Sequence, residues 1–180
     1  MMNIIHVSGT MCSGKTYTII PFLDQPGVAF WDVLNLYKRE GCLVNGLMVW
    51  DRWEEVKGTI IPDLKEFLER NKDKKICFIE SGTNQTIAKF LSNIETIDIQ
   101  LQTPDKKTIT ERAIKRNLKT KQVLNFRDMF LKRHVHNDIN QYTQEEAFII
   151  ISAFVNLEPV KAMLFKHLID KNKQPKEELS

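Results

Sequence analysis

Eight residues near the start of the chain have the types and spacing to hold a polyphosphate. They read Gly9-Thr10-Met11-Cys12-Ser13-Gly14-Lys15-Thr16 and satisfy every fixed position of the pattern G-x-x-x-x-G-K-[ST]. Glycine tolerates backbone conformations that other residues resist, so successive N–H groups can curl around an anion. A helix beginning at Lys15 would add its unsatisfied N–H groups and its dipole. Lys15 would then reach the β- and γ-phosphates of ATP, and Thr16 would hold Mg²⁺. The run before the glycines, Asn3 to Ser8, reads as a short buried strand, and Lys15 to Phe22 as the start of a helix.

Transfer of a phosphoryl group also needs charge neutralisation, alignment and a base. Glu80 ends the apolar run Ile76-Cys77-Phe78-Ile79, at the sheet edge where ligands bind in open α/β folds, and is a candidate Mg²⁺ ligand. Asp32 closes a second short strand and has two readings, a base that accepts the proton of a hydroxyl or an N-cap for the segment that follows. Asp51 in Trp50-Asp51-Arg52-Trp53 is the rival base; Arg52 would hold a substrate phosphate, and Trp53 or Trp50 would stack on a base or simply pack. Arg112 and Arg116 stand four apart, on one helical face, with Lys115, Lys119 and Lys121 nearby. They read either as a solvated basic face or as a lid whose planar guanidinium forks grip phosphate. Arg127 and Arg133 are weaker candidates of the same kind. His134 and His136 lack partners at metal-ligand spacing, and His6 reads as a packed, satisfied histidine.

The elements that must position these groups alternate. Pro26-Gly27 marks a turn before a strand at Val28 to Trp31, followed by a helix over Val33 to Glu40; the stretch from Leu47 to Glu54 is ambiguous. A helix over Ile61 to Arg70 precedes the strand ending at Glu80, and a helix from Asn84 to Ser92 precedes a strand at Thr96 to Leu101. Thr103-Pro104-Asp105 turns into a helix over Lys107 to Leu118, and another follows around Val123 to His136. Thr143 and Glu146 fit a capping box that opens a helix through Val155, although Phe148 to Phe154 also suits a fifth buried strand. Glu158-Pro159 would begin a last helix, with a frayed tail after Asp170. Strands alternating with helices predict an α/β fold of three layers, with a mostly parallel sheet of four or five strands, a helical lid and a helical C-terminus.

A chain of 180 residues with 42% hydrophobic and 27% charged side chains is expected to fold as one domain with a sizeable core. The boundaries expected are residues 1–170 for the domain, with the lid at about 105–140, and 171–180 for the tail. No apolar run approaches spanning length and no signal peptide is expected, so the expectation is a cytoplasmic protein without a membrane partner. Cys12, Cys42 and Cys77 have no paired spacing, which speaks against a disulfide framework or zinc site. The net charge of +3 permits a nucleic-acid partner without requiring one. The oligomeric state is not legible.

Together the loop Gly9 to Thr16, the acidic strand ends at Asp32 and Glu80, and Thr103-Pro104-Asp105 leading to Glu111-Arg112-Ala113-Ile114-Lys115-Arg116-Asn117 resemble the nucleoside and nucleotide kinase branch of phosphate-loop proteins. The resemblance spans roughly the first 135 residues as architecture, and only the glycine loop is a specific motif. It implies ATP·Mg²⁺, a lid and a hydroxyl or phosphate acceptor. Asp51-Arg52-Trp53 is only loosely similar to the acid–arginine pair of deoxynucleoside kinases, and no N-K-x-D specifies guanine. The expected function is a kinase of nucleosides or nucleotides. The alternatives are a kinase of a polynucleotide hydroxyl, at a strand end or on a hydroxymethylated base, and an ATP-hydrolysing regulatory module.

Overall fold

The structure, a computed structural model, describes residues 2–134 and 141–156, with the backbone alone for 133 and 134. The element order is β1 (Asn3–Ser8), α1 (Lys15–Leu23), β2 (Val28–Asp32), α2 (Val33–Arg39), β3 (Leu43–Val44), β4 (Leu47–Met48), α3 (Trp50–Val56) and α4 (Ile60–Arg70). A single 3₁₀ turn, Lys57–Thr59, joins the last two. Then come β5 (Ile76–Gly82), α5 (Gln85–Leu91), β6 (Thr96–Leu101), α6 (Lys106–Lys115), α7 (Thr120–His134), β7 (Gln141–Tyr142) and α8 (Gln144–Asn156). The expected last helix from Glu158, the tail, His136 and the far end of the lid lie outside the described residues.

Five strands form one parallel sheet in the order β2-β5-β1-β6-β7. Side-chain alternation along the strands divides the core in two. Ile5 and Val7 of β1 join Phe78, Ile99 and Leu101 under α1 and α8, where Ile19, Phe22, Ile151 and Phe154 close the layer. Ile4, Trp31 and Ile79 face the other way, against Leu36 of α2, Ile60 and Leu64 of α4, and Ile87 and Leu91 of α5. A third, smaller cluster of Cys12, Ile109, Ala113 and Val123 fastens α6 and α7 over the glycine loop. The fold is thus the expected three-layer α/β arrangement, with five strands.

The fifth strand is not the apolar run at Phe148, which is helical. Thr143 and Glu146 form the capping box, the Glu146 carboxylate accepting from Thr143 N–H at 3.0 Å and Thr143 Oγ1 accepting from Glu146 N–H at 3.1 Å. Gln141-Tyr142 supplies the strand instead, pairing with Gln100 and Leu101. Two residues are too few to show periodicity. The ambiguous stretch resolves into a hairpin and a helix: Leu43 pairs with Met48 and Val44 with Leu47 across Asn45-Gly46, both with positive φ. Asn-Gly is the strongest two-residue hairpin turn, so this signal was present in the sequence. Three of the expected helices begin at a side-chain cap: Asp32 accepts from Leu34 N–H, Asn84 from Ile87 N–H and Asp105 from Thr108 N–H.

Candidate active site

The glycine loop spans the gap between β1 and α1 and curls as the pattern requires. Gly9, Cys12 and Gly14 have φ of 146°, 62° and 96°. Gly9 N–H donates to the Gly82 carbonyl at 3.2 Å, which ties the loop to the end of β5. A Cβ at Gly14 would lie 1.5 Å from Nε2 of Gln144 and sit on a backbone with φ of 96°, so a side chain there would be strained and would displace Gln144. Cys12 carries a positive φ without being glycine, and its backbone carbonyl and side chain both contact the arginines described below.

Lys15 is buried and folds back along the loop, donating to the carbonyls of Gly9 at 3.2 Å and Thr10 at 2.8 Å. Burial lowers its pKa, while the charges of Glu80 and Asp32 push it back up. Thr16 donates its hydroxyl to the Glu80 carboxylate, at 3.0 and 2.9 Å to the two oxygens. Burial raises the pKa of Glu80; Lys15 acts against this and Asp32 with it. Asp32 stands beside Glu80 in the β2–β5 register, and its pKa is raised by burial, opposed by the Leu34 N–H and Lys15. One oxygen of Asp32 caps α2, the N-cap reading, while its carboxylate shares the field of Lys15 and Glu80.

The two lid arginines reach the loop from α6. Arg112 donates to the Cys12 carbonyl at 2.9 Å and to Oε1 of Gln144 at 3.3 Å; Arg116 approaches Cys12 Sγ at 3.9 Å and acts electrostatically on Lys15 and Glu80. Arg112 is half-buried and Arg116 exposed, beside Ile109 and Ala113, which pack against Cys12 of the loop. Arg127 belongs elsewhere: it donates to the Pro104 carbonyl at 2.8 Å and pairs with Asp128, so it braces the turn before α6. The side chains of Arg133 and His134 lie outside the described residues.

Asp51, Arg52 and Trp53 are not gathered at the loop by any contact they make. Arg52 donates to the Glu40 carbonyl at 3.0 Å and to Glu55 at 2.5 Å. Trp53 packs on the α2–α4 side of the core, with Lys57 over its ring and Trp50 edge-on at 6.0 Å. Asp51 is exposed. Gln144 was missed by sequence reasoning. It donates to the Gly14 carbonyl at 3.4 Å while accepting from Arg112, and a glutamine at a helix start carries no signal of such a contact.

The loop passes a test of fit for a polyphosphate. Thr10 Oγ1 and Ser13 Oγ are buried in residues 1% and 2% exposed and lack a hydrogen-bond partner among the described residues. A buried unpaired hydroxyl costs about 1–3 kcal/mol. Two in one anion-shaped turn match phosphate oxygens. Thr16 and Glu80 present hard oxygen donors, the set Mg²⁺ takes when it is held chiefly through phosphates. Among the described residues no group of three or more His, Cys, Asp or Glu forms a metal cage. The three cysteines are free, and no described helix is long and apolar enough to cross a membrane.

Solved structures share this architecture. A shikimate kinase from Bacteroides thetaiotaomicron superposes with a TM-score of 0.50 at 12% identity, over 94% of this chain and 97% of that one. Shikimate kinase from Acinetobacter baumannii, in complex with shikimate, gives 0.49 at 19% identity, over 97% and 96%. The first match shows that the chain shares the fold of that kinase. No family model matches the chain, and no curated protein matches it in sequence.

Proposed function

We propose that this chain is an ATP-dependent phosphotransferase that moves the γ-phosphoryl group to a hydroxyl of a small molecule. The observation that carries the reading is the Thr16–Glu80 pair standing within the field of Lys15 and Arg116, at the mouth of an anion-shaped loop. In this reading the loop amides and the hydroxyls of Thr10 and Ser13 bind the phosphates. Lys15, Arg112 and Arg116 spread the charge that develops on the transferring group. Thr16 and Glu80 would hold Mg²⁺, which when bound neutralises charge on the β- and γ-phosphates. Asp32 would accept the proton of the attacking hydroxyl; a carboxylate whose basicity is raised by burial suits that role. Helices α6 and α7, packed on the loop through Cys12, would exclude water as a lid.

A nucleoside or nucleotide remains the acceptor that the sequence resemblance implies. The polynucleotide alternative gains no support from the comparisons. The test is to screen γ-labelled ATP with nucleosides, nucleotides, other small hydroxyl compounds, single strands and duplexes, and with no acceptor. Label on a small hydroxyl compound is the expected result. Label on polynucleotide, or phosphate release without acceptor, would replace the proposal.

A further inference from the structure

Three polar side chains that the proposed chemistry does not use meet on the face of the sheet opposite α1. His6 of β1 places Nδ1 3.0 Å from Oδ1 of Asp98 on β6, and Nε2 2.6 Å from Oγ of Ser81 on β5. Thr96 Oγ1 donates to the same Asp98 oxygen at 3.3 Å. A carboxylate at Asp98 only accepts, so Nδ1–H donates to it, and Nε2 pairs with the Ser81 hydroxyl. The order of contacts is that of a hydrolytic serine triad. Ser81 is 2% exposed, however, which leaves no approach for a substrate to its oxygen.

Ser81 has a different distinction. In the β1–β5 ladder Val7 pairs with Glu80, but Ser8 pairs with Gly82; the register slips and Ser81 is the extra residue. Such a bulge bends its strand and re-aims the side chains beside it. On one side of this bulge stands Glu80, whose carboxylate receives Thr16. On the other stands Gly82, whose carbonyl receives the N–H of Gly9, the first residue of the phosphate loop. The Ser81 carbonyl itself accepts from Asn84 N–H at 3.1 Å and starts the turn into α5. At a bulge the ladder is locally disrupted, and a side-chain contact can then help fix the extra residue. Here that is the ring of His6, locked in orientation by Asp98.

We infer that His6 is a positioning residue that pins the Ser81 bulge, and so sets both the Glu80 carboxylate towards Thr16 and the Gly82 carbonyl towards Gly9. The inference rests on the reading of the loop as a nucleotide site, and two measurements separate their failures. Ser81→Ala removes the hydroxyl with little change of volume; His6→Asn keeps a donor near Asp98 but falls short of Ser81. Amide hydrogen exchange at Gly9 reads the Gly9–Gly82 bond with no nucleotide present, and calorimetric titration with ADP, with and without Mg²⁺, reads the site. In both variants Gly9 should exchange faster, and Mg²⁺-ADP should bind about tenfold more weakly, with metal-free ADP affected less. The double variant should bind no more weakly than either single one, since both remove one link. Unchanged Gly9 exchange and unchanged Mg²⁺-ADP affinity in Ser81→Ala would overturn the inference. A wild-type protein that binds no ADP would remove the nucleotide reading instead and leave Gly9 exchange to decide the role of His6. If His6→Asn does not fold, Ser81→Ala decides alone.

Discussion

The glycine-loop end of the molecule and the hairpin–α3 region differ in how their polar groups are held. Around the loop, buried Lys15 and Glu80 and half-buried Asp32 share one field, exposed Thr16 bonds to Glu80, and two arginines arrive from a distant helix. In Asp51-Arg52-Trp53 the charged groups are exposed and bonded to near neighbours, Glu40 and Glu55. Desolvated charges interact strongly and hold fixed geometry, whereas exposed pairs are screened and contribute little. The loop end is therefore organised as the proposed phosphate site requires, while the triplet proposed for the acceptor has no comparable arrangement.

Removing the centre of the first region should have the largest effect. Lys15→Ala is expected to lower phosphoryl transfer by about 10³-fold, because the cation stabilises charge only as the group transfers. Steady-state kinetics with circular dichroism would check this; a folded variant of near-normal rate would dissolve the contrast. Arg112→Ala should lower kcat by about 10²-fold with a smaller change in KM for ATP. If it changed KM alone, α6 would be a binding element and not a lid that acts on the transferring group.

Glu80→Gln sharpens the comparison on both affinity and stability. Magnesium half-saturation should rise about tenfold, with the acceptor KM unmoved. The sign of its pH dependence follows from burial, which raises the folded pKa of Glu80 above 4.5. The folded state then binds this proton more tightly than the unfolded chain, so wild-type stability falls as pH climbs from about 4.5 through the raised value. Glutamine carries no such titration. The melting temperature of the variant relative to wild type should thus increase across that window and level off above it. A difference that shrinks with rising pH would mean that the attraction to Lys15 outweighs burial.

Much of the phosphate half was legible because its signals are local. The glycines and Lys15-Thr16 have fixed spacing, Glu80 sits near the end of an apolar strand, and Arg112 and Arg116 share a helical face through their spacing of four. Side-chain caps at Asp32, Asn84, Asp105 and Thr143 likewise mark helix starts from a few neighbouring residues. What escaped is non-local. Gln141-Tyr142 is a strand only because Gln100 and Leu101 lie beside it, and Gln144 matters only because the fold sets it over Gly14. The slip at Ser81 exists in the pairing of two strands and in neither strand alone. The Asn45-Gly46 hairpin was the one local signal left unread.

Arg52→Ala gives the smallest expected effect and the finest test of the comparison. Its ion pair with Glu55 is exposed, of a kind worth about 0–1 kcal/mol, so the melting temperature should barely move. Its bond to the Glu40 carbonyl links α3 to the end of α2, the helix that Asp32 caps. Losing that bond would let α3 shift without disturbing Thr16 or Glu80, which belong to α1 and β5. Affinity for Mg²⁺-ADP should accordingly match wild type within about twofold, since distant sites without shared partners behave additively. Any loss should instead appear in the KM of whichever acceptor the screen identifies. Weaker nucleotide binding would show that α3 and the phosphate loop form one coupled site, with α2 and its cap at Asp32 as the physical connection.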